Sequence, residues 1–274
     1  MPKFDSATGR YFSFGYRPSP LELLATRRWL KDYRIGDTAR LVAPLPLPPS
    51  GLNLERAASA SLSQMEGNDN QGDCVAAWFA HQDGIWTGNA NGKANCLVWT
   101  TAQTLALYHQ VGGPGDNGLD PIVFLNYMKN TGVTLAGASR KIAGWVAIDP
   151  ENRWEVQEAC WLFGGLGLCM NLPDAYTNPF PAGNDFYWWR QGPPDPNQGH
   201  MFGAAGYVAG SKWMRCDTWG MTGFISLPAI SYYCADAQGG AIYAALSQDW
   251  LAAATKLAPN GYNWTQLEAD LAAI

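Results

Sequence analysis

Three side chains in this sequence have the types and contexts of an acyl-transfer centre. Cys74 follows the turn Gly72-Asp73 and opens the uncharged run Val75-Ala76-Ala77-Trp78-Phe79-Ala80-His81, which has the all-round apolar character of a buried helix. A thiol at a helix N-terminus faces unpaired N–H groups and the positive end of the helix dipole, both of which favour its thiolate. His200 follows Gly199 and begins the small-residue strand Met201-Phe202-Gly203-Ala204-Ala205-Gly206-Tyr207, and Asp217 ends the next strand, before Thr218-Trp219-Gly220. A nucleophile on a helix, a base on a strand and an orienting group on the neighbouring strand form a Cys-His-Asp arrangement. Cys74 attacks a carbonyl, His200 moves the proton and Asp217 orients the ring. The expectation for Cys74 is an activated thiolate, alkylated ahead of the other five cysteines at mildly acid pH. Asp73 beside it works in the opposite sense.

The same residues resemble those of the papain-like cysteine peptidases. Gly72-Asp73-Cys74 is similar to that family's Gly-Ser-Cys, and His200 through Gly206-Tyr207 to its His-Ala-x-x-x-x-Gly-Tyr strand. Asp217-Thr218-Trp219-Gly220 resembles Asn-Ser-Trp-Gly, whose Trp packs over the orienting side chain. His200 and Asp217 follow Cys74 at close to the roughly 130–150 residues of that family. The likeness runs from about Gly67 to Leu227, more weakly at Asp120–Val133. It implies that Asn68, six residues before Cys74, holds the oxyanion together with the Cys74 N–H, and that Trp219 supports the site. It implies an α+β, papain-like two-lobe fold, a helical lobe plus an antiparallel β lobe with an extended N-terminal arm, and no cofactor or metal. The block Gly67–Cys74, Gly-Asn-Asp-x-x-Gly-Asp-Cys, is similar to one in phage- and prophage-encoded proteins.

Departures accompany the likeness. Val75 stands where the family has an aromatic, and Asp217 replaces Asn. A second register, laying Asn70-Gln71-Gly72-Asp73-Cys74 on the family's Asn-Gln-Gly-x-Cys, puts Ala77 at the nucleophile position and Trp78 after it. In that register the protein is silent. The Cys74 register is preferred, because Gly and Asp directly precede the thiol and Asn68 falls at the right distance.

Elements to position these groups can be read along the chain. Residues 1–65 are expected to be an N-terminal arm and Pro-rich spacer: an extended aromatic stretch Tyr11–Pro18, a short helix Leu21–Tyr33 and a polyproline run Ala43–Pro49. Residues 66–274 form the expected papain-like domain, with a helical lobe over about 66–140, a β lobe over about 141–235 and C-terminal helices over 239–274. Asp73 is the natural N-cap of the Cys74 helix. Further helices are expected at Thr100–Tyr108, at Pro121–Asn130 with Asp120 as cap, and at Pro150–Phe163. Strands are expected at Ile142–Ile148, Leu166–Leu172, Met201–Ala209, Trp213–Asp217 and Thr222–Ser226. Helices Gly239–Leu257 and Thr265–Ala273 close the chain. Phe186–Arg190, inside a Pro- and Gly-rich insertion, suits a sticky platform or a loop tucked onto the core. His81 and His109 read as structural, His81 standing two helical turns beyond Cys74.

Composition narrows the function classes. With 274 residues, 47% hydrophobic and 15% charged, the chain buries a sizeable core. A net charge of −5 is a poor match for phosphate-rich partners, so no nucleic acid is expected. No run suits a membrane span, and the first residues lack a secretory signal. The six cysteines contain no C-x-x-C pair and are expected as free thiols. Two functions stay open. One is a cysteine peptidase or amide/ester hydrolase acting on a peptide or protein in a bacterial cytoplasm. The other is a catalytically silent structural or interaction protein of a phage particle, a capsid or tail component whose arm clasps neighbouring subunits of the virion.

Overall fold

A computed structural model of the chain describes residues 2–31, 48–135 and 137–250. Its longest element is the helix α3, Cys74–Asn91, buried without a break from Cys74 to Gly88. No Asp, Glu, Lys or Arg precedes Asp83 in this run, so every face can be covered by protein. Gly84 and Gly88 let the short helix α2, Glu55–Leu62, lie almost backbone to backbone on it: a Cβ at Gly84 would meet Ser61 at 2.4 Å, and one at Gly88 the Ala57 carbonyl at 2.4 Å. Asp73 stands at the N-cap position, but its side chain makes no capping bond.

Two more helices complete this side. α4, Thr101–Gly112, begins in a capping box in which Thr100 and Gln103 satisfy each other's backbone N–H groups. α5, Pro121–Asn130, has the expected bounds, with Asp120 accepting from Ile122 and Val123. A hairpin of β4, Val133–Leu135, and β5, Ala138–Arg140, follows.

The remaining lobe is built on one large sheet. Its order is β6 (Ile142–Ala147), β12 (Ala241–Ser247), β7 (Leu166–Asn171), β9 (Gly199–Tyr207), β10 (Trp213–Thr218), β11 (Met221–Ser226) and β8 (Phe186–Trp188), with β3 (Leu52–Asn53) on the end of β9. All pairs are antiparallel except β8 with β11. Side chains alternate between two cores. Cys169, Met201, Tyr243 and Ala245 join the core around α3, while Leu168, Met170, Phe202, Ala244 and Leu246 join one under α6 (Arg153–Phe163) and α7 (Leu227–Tyr233).

The two lobes are bolted where α6 ends. A helix leaves its last carbonyls without partners, and here indole and amide donors supply them. Trp250 Nε1–H donates to the Leu162 carbonyl at 3.1 Å, Trp86 Nε1–H to Phe163 at 2.8 Å, and Gln82 Nε2–H to Gly164 at 2.8 Å. Trp86→Phe keeps most of the packing and orphans a buried carbonyl, so it should lower stability by about 1–3 kcal/mol in urea unfolding. An unchanged midpoint would show that water replaces the indole.

Several expectations need correction. Ala241–Ser247, expected within a helix Gly239–Leu257, is the fully buried strand β12, paired on both edges. Its alanines favour a helix in isolation, but a strand covered on both faces shows the same unbroken apolar run, and tertiary pairing decides. Gln248–Trp250 form a single 3-10 turn, and residues 251–257 of that helix and Thr265–Ala273 lie outside the described residues, as do 43–47 of the polyproline run. The stretch expected as one helix Leu21–Tyr33 is interrupted: α1 covers Leu21–Leu24, Trp29 bridges to Ala147, Leu30 and Lys31 are again helical, and residues 32 and 33 lie outside the described residues. Before it, β1, Lys3–Asp5, and β2, Arg10–Phe12, pair as a hairpin. Phe186–Arg190 divides: Trp188 is buried and stacked on Tyr176 at 4.6 Å, while Tyr187 and Trp189 are about half exposed. Among the described residues no helix is long and apolar enough to cross a membrane.

Candidate active site

Cys74 is the first residue of α3, and its sulfur lies against β9, where it accepts the Met201 N–H at 3.4 Å. N–H groups of Gly15 and Val75 also point to it. The side chain is buried, and desolvation pushes the thiol up to about 12, with Asp73 adding to the rise. Burial also drives the Asp73 carboxyl well above its usual range, toward its neutral form. The resting cysteine is therefore a thiol, not the activated thiolate read from the sequence. Loss of water outweighs the helix dipole here.

His200, second residue of β9, is clamped between aromatic rings. Its imidazole stacks on Trp219 at 4.1 Å and 12°, and on Phe202 at 5.8 Å, with Phe14 edge-on at 6.2 Å. Nε2 lies 2.7 Å from Thr218 Oγ1, whereas Nδ1 is buried without a hydrogen-bond partner. Desolvation pushes the ring down to about 3, so the imidazole is neutral.

Asp217 does not reach His200. Its Oδ1 lies 3.1 Å from Nδ1 of His81, two turns down α3, and its Oδ2 has no partner. His81 Nε2 faces the Gln64 carbonyl at 3.1 Å, which can only accept, so Nε2 carries hydrogen. Nδ1 faces the Asp217 carboxyl, so both ring nitrogens have an acceptor, an arrangement that favours the imidazolium. Its pKa is raised accordingly: burial works against the charge, and the hydrogen bond and charge of Asp217 outweigh it. A bulge explains the separation. The β9–β10 register passes from Arg215–Gly206 to Cys216–Ala204, so Ala205 is an extra residue on β9; the residues of β9 before it, His200 among them, change face, while β10 alternates without a break and sets Asp217 opposite Gly203. A Cβ at Gly203 would sit 2.2 Å from Asp217 Oδ2; only glycine leaves room for this carboxylate.

Trp219 and Gly220 turn β10 into β11 with positive φ at both, 50° and 69°. A bulky residue in that region is strained, and two contacts hold it: the stack on His200 and the Arg10 Nη2–H bond to its carbonyl at 2.6 Å. Asn68 is buried, and its amide donates to the Gln71 carbonyl at 3.2 Å, closing its own turn. All five residues singled out in the sequence, Asn68, Cys74, His200, Asp217 and Trp219, line one narrow cavity of about 10 Å³, together with Ala77 and His81. That is room for about one water.

The N-terminal segment packs against residues that line or flank this cavity. Ser13 N–H donates to the Asn68 carbonyl at 2.8 Å, and Gly15 and Tyr16 N–H both donate to Gly199 at 3.1 and 3.0 Å. Trp219 Nε1–H reaches the Ser13 carbonyl at 3.3 Å, and Phe12 stacks on Phe180 at 4.1 Å. Sequence reasoning missed Thr218 as the partner of His200 and His81 as the partner of Asp217. Thr218 was visible only as part of the Asp-Thr-Trp-Gly string, and nothing in the sequence marks the bulge.

No family model matches the sequence, and no curated protein is similar to it. Solved structures do match. The chain is similar to xylellain, a cysteine protease from Xylella fastidiosa, with 11% identity over 87% of this chain and 97% of that one and a TM-score of 0.57. The digestive procathepsin L2 proteinase of Tenebrio molitor larval midgut matches at a TM-score of 0.61, with 12% identity over 86% of this chain and 78% of that one. Procathepsin B S9 from Trypanosoma congolense matches at 0.55, with 12% identity over 85% and 86%. With a helix-borne cysteine against an antiparallel-rich sheet and these structural neighbours, the chain has the papain-like cysteine protease fold.

Proposed function

We propose that the chain is a cysteine peptidase or related amide/ester hydrolase held in a latent state, with Cys74 as nucleophile and His200 as base. The observation that carries this reading is His200 Nδ1, a buried acceptor without a partner in the same small cavity as the Cys74 sulfur. Buried polar atoms are rarely left unpaired without a reason. With Nε2–H held by Thr218, Nδ1 keeps the lone pair that a base needs. The thiol proton passes to Nδ1, the sulfur attacks the carbonyl carbon, and the protonated ring then donates to the leaving group. The Cys74 N–H stabilises the oxyanion, joined by the Asn68 amide once it leaves Gln71. Thr218 takes the orienting role assigned to Asp217 by sequence.

Hydrolysis of fluorescein-labelled casein and of a p-nitrophenyl ester by the chain with its covering segment displaced, as in Gly15→Ala, tests this, the following substitutions being made in that background. Cys74→Ala and His200→Ala should each lower the rate by about 10²–10⁴. Thr218→Val should cost about tenfold, through a misoriented ring. Hydrolysis undiminished in Cys74→Ala would overturn the assignment.

A second reading is favoured by the uncharged, covered site. In it the fold is retained without chemistry, as a structural or interaction component of a phage particle whose N-terminal segment meets neighbouring subunits. Absence of Cys74-dependent hydrolysis from a folded chain freed of that covering would favour it.

A further inference from the structure

The N-terminal segment crosses the cleft at a point where four glycines from separate parts of the chain converge. A Cβ on Gly15 would lie 1.7 Å from the Gly72 carbonyl oxygen, and one on Gly72 would lie 2.5 Å from the Phe14 carbonyl. One on Gly118 would lie 2.3 Å from the Gly15 carbonyl, and one on Gly199 would lie 2.3 Å from the Tyr16 carbonyl. Every one of these clashes is with backbone, which cannot swing aside as a side-chain tip can. The crossing is walled by Gly72 before α3, Gly118 before α5 and Gly199 at the start of β9.

Around this constriction the segment is gripped as an extended peptide. Its N–H groups at Ser13, Gly15 and Tyr16 are taken by carbonyls of Asn68 and Gly199, and the Gly15 carbonyl accepts the Leu119 N–H at 2.7 Å. These bonds read backbone and accept any sequence. Side chains are read on either side of the glycine. The Phe14 ring meets His200 and Trp219 edge-on at 6.2 and 6.1 Å, and Tyr16 is buried with its hydroxyl donating to the Gly239 carbonyl at 2.8 Å. The Gly15 N–H, bonded to the Gly199 carbonyl, also faces the Cys74 sulfur.

We propose that the cleft beside Cys74 is selective for extended peptides with glycine at the thiol and an aromatic residue on each side of it, and that Phe14-Gly15-Tyr16 is its resident occupant. The proposal names the substrate class for the hydrolase reading above and rests on it for cleavage. The binding half is separately measurable, because a silent site would hold the same peptide without cutting it.

The test follows iodoacetamide labelling of Cys74 by mass spectrometry in the full chain. Gly15→Ala, whose methyl has no space, should expel the segment and speed labelling at least about tenfold, as an opening raised from rare to common does. Excess synthetic peptide spanning residues 10–17 should restore protection, and the same peptide with alanine for the glycine should not. Should Gly15→Ala fail to fold, as judged by near-UV circular dichroism, Phe14→Ala removes a grip without adding a clash and should shift labelling in the same direction. Unchanged labelling in a folded variant, or equal protection by both peptides, overturns the proposal. Protection by the glycine peptide alone, with the peptide recovered intact, supports the selectivity and counts against the hydrolase. Cleavage of both peptides alike supports the hydrolase and overturns the selectivity.

Discussion

Replacing His81 by alanine should destabilise the fold by about 3–5 kcal/mol, the usual consequence of leaving one member of a buried ion pair alone. His81 and Asp217 are both almost fully buried, at 4% and 1% exposure, and tie α3 to β10 across the lobe interface. Asp217 already has one oxygen without a partner, so the imidazolium is its main compensation for lost water. Asp217→Asn should cost less, since the amide still accepts from Nδ1. The double variant His81→Leu/Asp217→Leu should be more stable than the two single costs imply, because no charge is stranded. The pH dependence has a definite sign. The His81 pKa is raised in the folded state, so its contribution is complete below the unfolded value of about 6.5 and fades as pH rises through the folded one. His81→Ala should therefore lose more stability at pH 6 than at pH 9 in urea titrations. Equal losses would mean that the ring is neutral and merely packed.

That prediction also separates what the sequence carried from what it did not. Helices announced by local chemistry were legible: Asp120 with Pro121 set the start of α5, and α3 starts at Cys74 directly after Gly72-Asp73, although Asp73 makes no capping bond. β12 was not, because Ala-Ile-Tyr-Ala-Ala-Leu buried on both faces has no period to distinguish strand from helix. The site was legible as a set of residues and not as a set of bonds. Asn68, Cys74, His200, Asp217 and Trp219 do line one cavity, yet the partners exchanged: Thr218 holds His200, and His81 holds Asp217. The bulge in β9 that turns His200 to the face away from Asp217 leaves no mark on hydrophobic pattern. Nor does sequence spacing reveal that residues 12–16 return to cover the thiol, since that contact joins segments far apart in the chain. Burial, a property of the finished tertiary structure, then decided the charge state that local reasoning about the helix dipole had assigned in the opposite sense.

The largest effect follows from that charge state. In the intact chain Cys74 should react with iodoacetamide as slowly as the other buried thiols do, and Cys96, the one partly exposed cysteine, should react first. A thiol pushed up to about 12 is ionised at pH 8 roughly a thousandfold less than one of ordinary pKa near 8.5, before any steric exclusion is counted. The pH profile is the sharper readout. A thiolate–imidazolium pair would give labelling that is flat across mildly acid pH, because the thiolate persists until the pair itself is protonated. A neutral thiol beside a neutral imidazole gives a rate rising about tenfold per pH unit throughout the accessible range. His200→Ala should leave that slope unchanged in the covered site, since a ring pushed down to about 3 carries no charge with which to stabilise sulfur. Opening the cleft admits water to both groups, which lowers the thiol and raises the imidazole toward each other. In Gly15→Ala the acid side of the profile should then lift toward a plateau that His200→Ala removes. A plateau already present in the intact chain would mean that Cys74 is charged and ready at rest, and that the segment across the cleft covers an active pair instead of holding a neutral one.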